Sequence, residues 1–302
     1  DRDFTFGGTI VSNGDVGFHG RKPGDKLNMT GTTHGSICEV NGQWYVFYHR
    51  LTHKSDYSRQ ACAEKIYFEA DGSIPQVEIT SCGLNEGPLT AAGRYPAVIA
   101  CNLTNGNMPH GSNSVYGMSF PNVTNIGDDR FIGEICDGTL IGYKYFDFKS
   151  VKRIGVTARF ENEENLVVFD GPVRMDDRGL EDEAKQHEKG VGEKAEIQAE
   201  KAGEQRHEAD KAGQDAAQAE NRQVSHGDMH LSEDSCFIEL KLDFEGERVG
   251  RIELREEVPG VAHDSFAWHE FMANADVPDG VHALYLIYHG NRNIQMKEII
   301  FD

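Results

Sequence analysis

An all-β fold in two parts, a blade-like sheet followed by a larger β-sandwich, is predicted by three observations. Short apolar or alternating runs recur along both flanks of the chain, separated by Asn-Gly, Asp-Gly and Pro-Gly turn signals. Between Phe169 and Phe237 there is no aromatic residue, so the hydrophobic content of 38% understates what the flanks hold for a core. The heptad spacing that stands out lies inside that aromatic-free gap, in a stretch almost entirely polar. At 302 residues the chain is long enough for two domains with a core each.

Taken in order, Phe4 to Gly14 alternates around Gly7-Gly8 and ends on Asn13-Gly14, and so reads as a strand and a turn. Asp15 to Met29 is polar, without period, and reads as a long loop. Ser36 to Val40 makes a strand, Asn41-Gly42 a two-residue hairpin turn at positive φ, and GQWYVFYHR a strand too apolar to keep a solvated face. Arg59 to Phe68 supplies a third strand, Asp71-Gly72 a turn, and Ile74 to Thr80 a fourth strand. Four short antiparallel strands over so short a stretch have the form of one propeller blade. A lone blade has bare faces, which blades normally bury against neighbours, and the opening at Asp1-Arg2-Asp3 without a Met reads as a cut through a longer protein.

The expected domains are 1–105, the closing portion of a propeller; 106–129, a linker; and 130–302, a jelly-roll sandwich interrupted by an insert at 180–223. The sandwich strands are read from FIGEIC, GTLIGYKYFDF, VKRIGVTARF, NLVVFDG, CFIELKLDF, Val249 to Leu254, Trp268 to Met272, ALYLIYHG and EIIFD. In the insert Ala195, Ala202, Ala209 and Ala216 recur every seven residues, while Gly190, Gly192, Gly203 and Gly213 weaken a helix. Two readings stand for it, a solvated marginal helix or disordered loop, and a coiled-coil surface.

A net charge of −20 argues against nucleic acid and anionic membrane surfaces, and suits a neutral partner such as a sugar. No run approaches the length of a membrane-spanning helix. The six cysteines have no zinc spacing; buried free thiols are one reading and disulfides the other. Asn28, Asn102 and Asn122 stand in glycosylation sequons. There is no phosphate loop, GxSxG elbow, HExxH or calcium-loop motif.

His34, just ahead of the first blade strand, and Arg59, at the start of the third, mark one edge of the blade. A guanidinium there can fork onto sugar hydroxyls or a carboxylate; the plainer reading is a solvated strand-end charge. For His34 the plainer reading is a surface or structural histidine.

The run HGSICEVNGQWYVFYHR, followed by SRQACAEKIYFEADGSIPQVEIT, resembles the last blade of the five-bladed propellers of glycoside hydrolase family 43, and GGTIVSNGDVG resembles the end of the blade before it. The resemblance covers about residues 4–105 and implies an inverting glycosidase, of the arabinofuranosidase or β-xylosidase type, on arabinose- or xylose-containing plant polysaccharide. It implies that His34 lines the channel and helps hold a water-coordinated metal, often calcium, and that Arg59 meets the substrate at its first subsite. The family's acid and base, which must stand apart to admit a water (about 6.5–9.5 Å), come from earlier blades with no match here. No catalytic residue is therefore expected; Glu39, Glu64, Glu69 and Glu78 belong to the last blade and are not promoted. The sandwich is similar to carbohydrate-binding modules of family 6, on GVHALYLIYHG and EIIFD, with Met296 about where the family's ligand asparagine is expected. Trp268, and less so Tyr143, are its candidate sugar-stacking aromatics, with core packing as the alternative.

Overall fold

The structure is a computed structural model that describes residues 5–31, 33–54, 59–110, 118–166, 235–255, 264 and 266–302. The insert at 180–223 and most of NLVVFDG lie outside the described residues. Among the described residues all regular structure is strand, apart from four 3-10 turns, as the all-β expectation requires.

The blade is a three-stranded antiparallel sheet of β1 (Gly35–Val40), β2 (Gln43–Leu51) and β3 (Arg59–Lys65), in that order. The turn between β1 and β2 is the expected hairpin, with Asn41 at φ 50° and Gly42 at 82°. Central β2 is buried at Tyr45, Val46, Tyr48, Arg50 and Leu51, as its apolar run predicts, whereas edge strand β1 is exposed along nearly its whole length.

Among the described residues, two expected strands, within Phe4 to Gly14 and Ile74 to Thr80, do not form. Residues 5–9 carry no regular structure and Phe6 is exposed; just beyond them Val77 N donates to Ile10 O at 2.8 Å. Ile74 to Thr80 runs without a ladder because buried carboxylates take its amides. Asp15 Oδ1 accepts Ile79 N at 2.8 Å, and Glu64 Oε1 accepts Thr80 N at 2.8 Å.

The sandwich consists of two six-stranded sheets. One runs β13 (His269–Asn274), β10 (Arg153–Phe160), β15 (Ile294–Phe301), β8 (Asp129–Ile135) and β7 (Asn122–Ile126). The other runs β12 (Arg248–Leu254), β11 (Cys236–Leu242), β14 (Gly280–His289), β9 (Leu140–Phe148) and β4 (Leu89–Thr90). Each sheet is completed by a short strand from the same region: β5 (Gly93–Pro96) on β15, and β6 (Asn102–Thr104) on β9. The sandwich core includes Ile132, Tyr143, Phe146, Ile154, Leu284 and Met296.

These pairings differ from the expected boundaries. Residues 89–104, placed with the propeller portion, are sandwich strands, and the expected linker 106–129 contains β7. Strands of two to five residues carry too little period to be read; β4, β5 and β6 form here because long β9 and β15 leave edge amides to be paired, and β7 pairs with β8. Blade and sandwich strands belong to one compact unit. Small apolar clusters join them: Met29, Leu51, Met108 and Phe120 in one, Tyr48, Ile79 and Cys101 in the other.

All six cysteines are free thiols; Cys101 and Cys236 are buried and Cys38 is exposed. The three sequon asparagines are buried, and their amides are held by hydrogen bonds, Asn102 also to Asp15 and Asn122 also to Glu134. Asn28 Nδ2 donates to Cys101 O at 2.7 Å, Asn102 Nδ2 to Cys101 O at 3.2 Å, and Asn122 Nδ2 to Phe120 O at 3.0 Å. A glycan on any of them would need the core to open. The folded chain is therefore expected to resist glycosylation at all three, and a mass increase of the folded product from a glycosylating host would contradict this.

Candidate functional site

Strand register gathers three side chains at one end of the blade. Gly35 lies opposite Tyr48 and Leu51 opposite Arg59, so His34, His49 and Arg59 share that end of the sheet. The His34 and His49 rings lie 5.3 Å apart between centroids, and Arg59 Nη1 is 3.4 Å from His49 Nε2. His34 and Arg59 are exposed and His49 is half-buried. Gly35 is required beside them, because a Cβ there would press on Phe47 O. Residues 55–58, and so Tyr57, lie outside the described residues.

The arrangement offers a guanidinium with several N–H donors beside two imidazoles, a surface suited to sugar hydroxyls or a carboxylate. It is a poor cradle for calcium, which takes oxygen ligands. Among the described residues no group of three or more His, Cys, Asp or Glu side chains is placed to hold a metal. The described residues therefore do not fit a calcium site at His34, and no step is derived through one.

Two of the blade's carboxylates, Glu64 and Glu78, are committed elsewhere. Glu64 is buried, with Oε1 accepting from Tyr48 Oη at 3.1 Å and Oε2 from Thr80 Oγ1 at 2.7 Å. Burial, against the opposing hydrogen bonds, pushes the Glu64 carboxyl up to about 7. Glu78 Oε1 accepts from Lys144 Nζ at 2.8 Å and its Oε2 from Tyr145 Oη at 2.6 Å. Glu39 and Glu69 are exposed.

The ionic contacts between blade and sandwich escaped the sequence reading. Lys144 Nζ, buried on β9, also meets Asp15 Oδ2 at 2.9 Å. Burial works to lower the Lys144 pKa, but neighbouring negative charge outweighs it and holds the ammonium above its ordinary range. Cys101, which burial pushes up to about 11, is a neutral thiol at pH 7, so Asp15 and Glu78 carry that field. No local pattern announces a pairing across 129 positions.

On the sandwich, Trp268 is half-buried and its ring is already occupied. The Arg159 guanidinium lies over it at 4.1 Å, Phe131 packs edge-on at 5.3 Å, and Nε1 donates to Asp129 Oδ2 at 3.4 Å. Tyr143 and Met296 are both fully buried. A small cleft of about 10 Å³, room for a single water, lies among His53, Lys54, Asn122, Glu134, Glu161 and Gln295. It is too small for a sugar ring.

No helix among the described residues is long and apolar enough to cross a membrane. No family model matches the chain. A xylosidase/arabinosidase of Thermoclostridium stercorarium is 32% identical over 310 aligned positions, covering 98% of this chain and 48% of that protein. The chain thus spans about half the length of the curated relative it matches. Among solved structures, a glycoside hydrolase family 43 arabinoxylan arabinofuranohydrolase from Bacillus subtilis, in complex with cellotetraose, is similar over 97% of this chain and 43% of its own, at 14% identity and TM-score 0.41. CsCBM6-3 from Clostridium stercorarium, in complex with cellobiose, is similar over 72% of this chain and 98% of its own, at 12% identity and TM-score 0.37. The sequence likeness to a xylosidase/arabinosidase runs along nearly the whole of this chain, in the direction that the blade motifs resembling glycoside hydrolase family 43 led one to expect.

Proposed function

We propose that this chain serves a glycoside hydrolase of the arabinofuranosidase or β-xylosidase type, inverting, on arabinose- or xylose-containing plant polysaccharide, and that its share is to hold the sugar rather than to cut it. The observation that carries this reading is the meeting of His34, His49 and Arg59 at one exposed end of the blade. Arg59 forks onto sugar hydroxyls, and His34 forms the wall beside it. Glu64 and Glu78, the blade's buried or half-buried carboxylates, are tied into hydrogen bonds that hold the fold, which leaves neither poised as a general acid or base.

Titration of the chain with arabino- and xylo-oligosaccharides tests this. Arg59→Ala is expected to weaken binding by about tenfold or more, the worth of one charge-assisted hydrogen bond. The same titration of Trp268→Ala is expected to leave affinity unchanged, because Arg159 already covers a ring face. Unchanged affinity in Arg59→Ala would remove the blade end as the sugar site. Release of nitrophenol from nitrophenyl arabinofuranoside or xyloside by this chain would show that it carries its own acid and base.

A further inference from the structure

The sandwich's two candidate stacking aromatics are already engaged, Trp268 by Arg159 and Tyr143 by the core, and Met296 is buried as well. What the sandwich does present to the blade is a buried ammonium. We propose that Lys144 is a positioning residue for the sugar-facing end of the blade, holding His34 in place through Asp15, Asn13 and Thr33. This rests on the reading of His34 and Arg59 as sugar contacts.

A continuous set of contacts carries it. Lys144 side-chain exposure is 3% and that of Asp15 is 2%, so the pair is dry. An apolar residue would fill the same place at lower desolvation cost, so stability alone does not account for a lysine here. Asp15 sits at φ 56°, a left-handed conformation unusual for a residue other than glycine, and it closes the tight turn Asn13–Asp15. Its Oδ2 meets Lys144 while its Oδ1 accepts Ile79 N. The turn is thereby clamped on one side by the sandwich and on the other by the segment Ile74 to Thr80. At the turn's start Asn13, 3% exposed, donates from Nδ2 to Thr33 Oγ1 at 2.6 Å. Thr33 is the residue before His34, whose ring lies against His49, and His49 contacts Arg59. Lys144 thus reaches the exposed site through two side-chain links and one rigid turn.

The test compares the full chain with Lys144→Gln, Lys144→Arg and Asn13→Ala, reading the imidazole proton and nitrogen signals of His34 and His49 by NMR alongside oligosaccharide affinity. Lys144→Gln and Asn13→Ala are expected to shift both ring signals and to weaken arabino- or xylo-oligosaccharide binding by about tenfold. Lys144→Arg is expected to restore part of each. His289, on sandwich strand β14, is the internal reference. If Lys144→Gln does not fold, Asn13→Ala decides alone, since it removes the link nearest the site and leaves the buried ion pair intact. Folded variants with unmoved His34 and His49 signals overturn the proposal. A wild-type chain that binds no sugar overturns the sugar-holding reading instead, and the ring signals still report whether Lys144 positions the blade end.

Discussion

Arg50→Met is expected to destabilise the chain by about 1–3 kcal/mol, the cost of leaving a buried acceptor without its donor. Arg50 lies on β2 at 4% exposure. Its guanidinium donates from Nη1 to Cys101 O at 2.7 Å and from Nη2 to Ala100 O at 2.9 Å. Nη2 also reaches Gln60 Oε1 at 3.3 Å, and Nε reaches Cys62 Sγ at 3.2 Å. Both carbonyls stand just ahead of β6, where the sandwich begins to pair with β9. Methionine fills much of the volume but takes the guanidinium donor from Ala100 O, which is the expensive half of losing a hydrogen bond, while Cys101 O keeps the Asn28 and Asn102 amides. Arg50→Lys is expected to fall between, because one ammonium cannot reproduce a planar fork onto adjacent carbonyls. Denaturant titration measures both. A midpoint shift worth less than 1 kcal/mol for Arg50→Met would mean that water reaches those carbonyls and that Arg50 is not the tie between blade and sandwich.

The second large effect is a dependence on pH. Burial raises the folded-state pKa of Glu64 to about 7 from an ordinary value of 4.5, with the Thr80, Tyr48 and Arg50 interactions opposing it. The folded chain therefore holds this proton more tightly than the unfolded one. Its contribution to stability is fully present below about 4.5 and is lost as pH rises through about 7. At the conversion of 1.36 kcal/mol per pKa unit, the full swing is about 3 kcal/mol at most. Glu64→Gln keeps acceptors for Tyr48 Oη and Thr80 N and cannot ionise. It is expected to flatten the stability profile between pH 4.5 and 7 and to match or exceed the parent at pH 8. A parent profile that does not fall across that window, once other groups are allowed for through the variant, would show that water solvates Glu64 more than its position between Tyr48 and Thr80 implies.

How much was legible follows from the range of each interaction. The β1–β2 hairpin could be read because Asn41-Gly42 forces its turn and the apolar run of β2 leaves no solvated face. The long sandwich strands could be read for the same local reasons. Ile74 to Thr80 misled because its composition suits a strand, yet Asp15 and Glu64, remote in sequence, take the amides a ladder needs. Residues 89–104 misled because strands of two to four residues leave no period to detect. Trp268 kept a core alternative in the sequence, and the structure shows why: Arg159, distant in the chain, lies over its ring. The grouping of His34 with Arg59 could be anticipated from hairpin register, whereas the path from Lys144 to them depends on tertiary structure alone.

The position of β15 has a kinetic meaning. It is the last of these strands in the chain, yet it lies inside its sheet, with β10 along one edge and β8 and β5 end to end along the other. During synthesis β5, β8 and β10 must wait, edges bare, for some two hundred residues at their extremes, since Glu298 pairs with Pro96. Contacts so remote in sequence slow folding, and the waiting edges are open to pairing with other chains. Yield of native protein is therefore governed by how well those three strands are kept apart from neighbours until β15 arrives, so slower, cooler expression favours the native fold over aggregation.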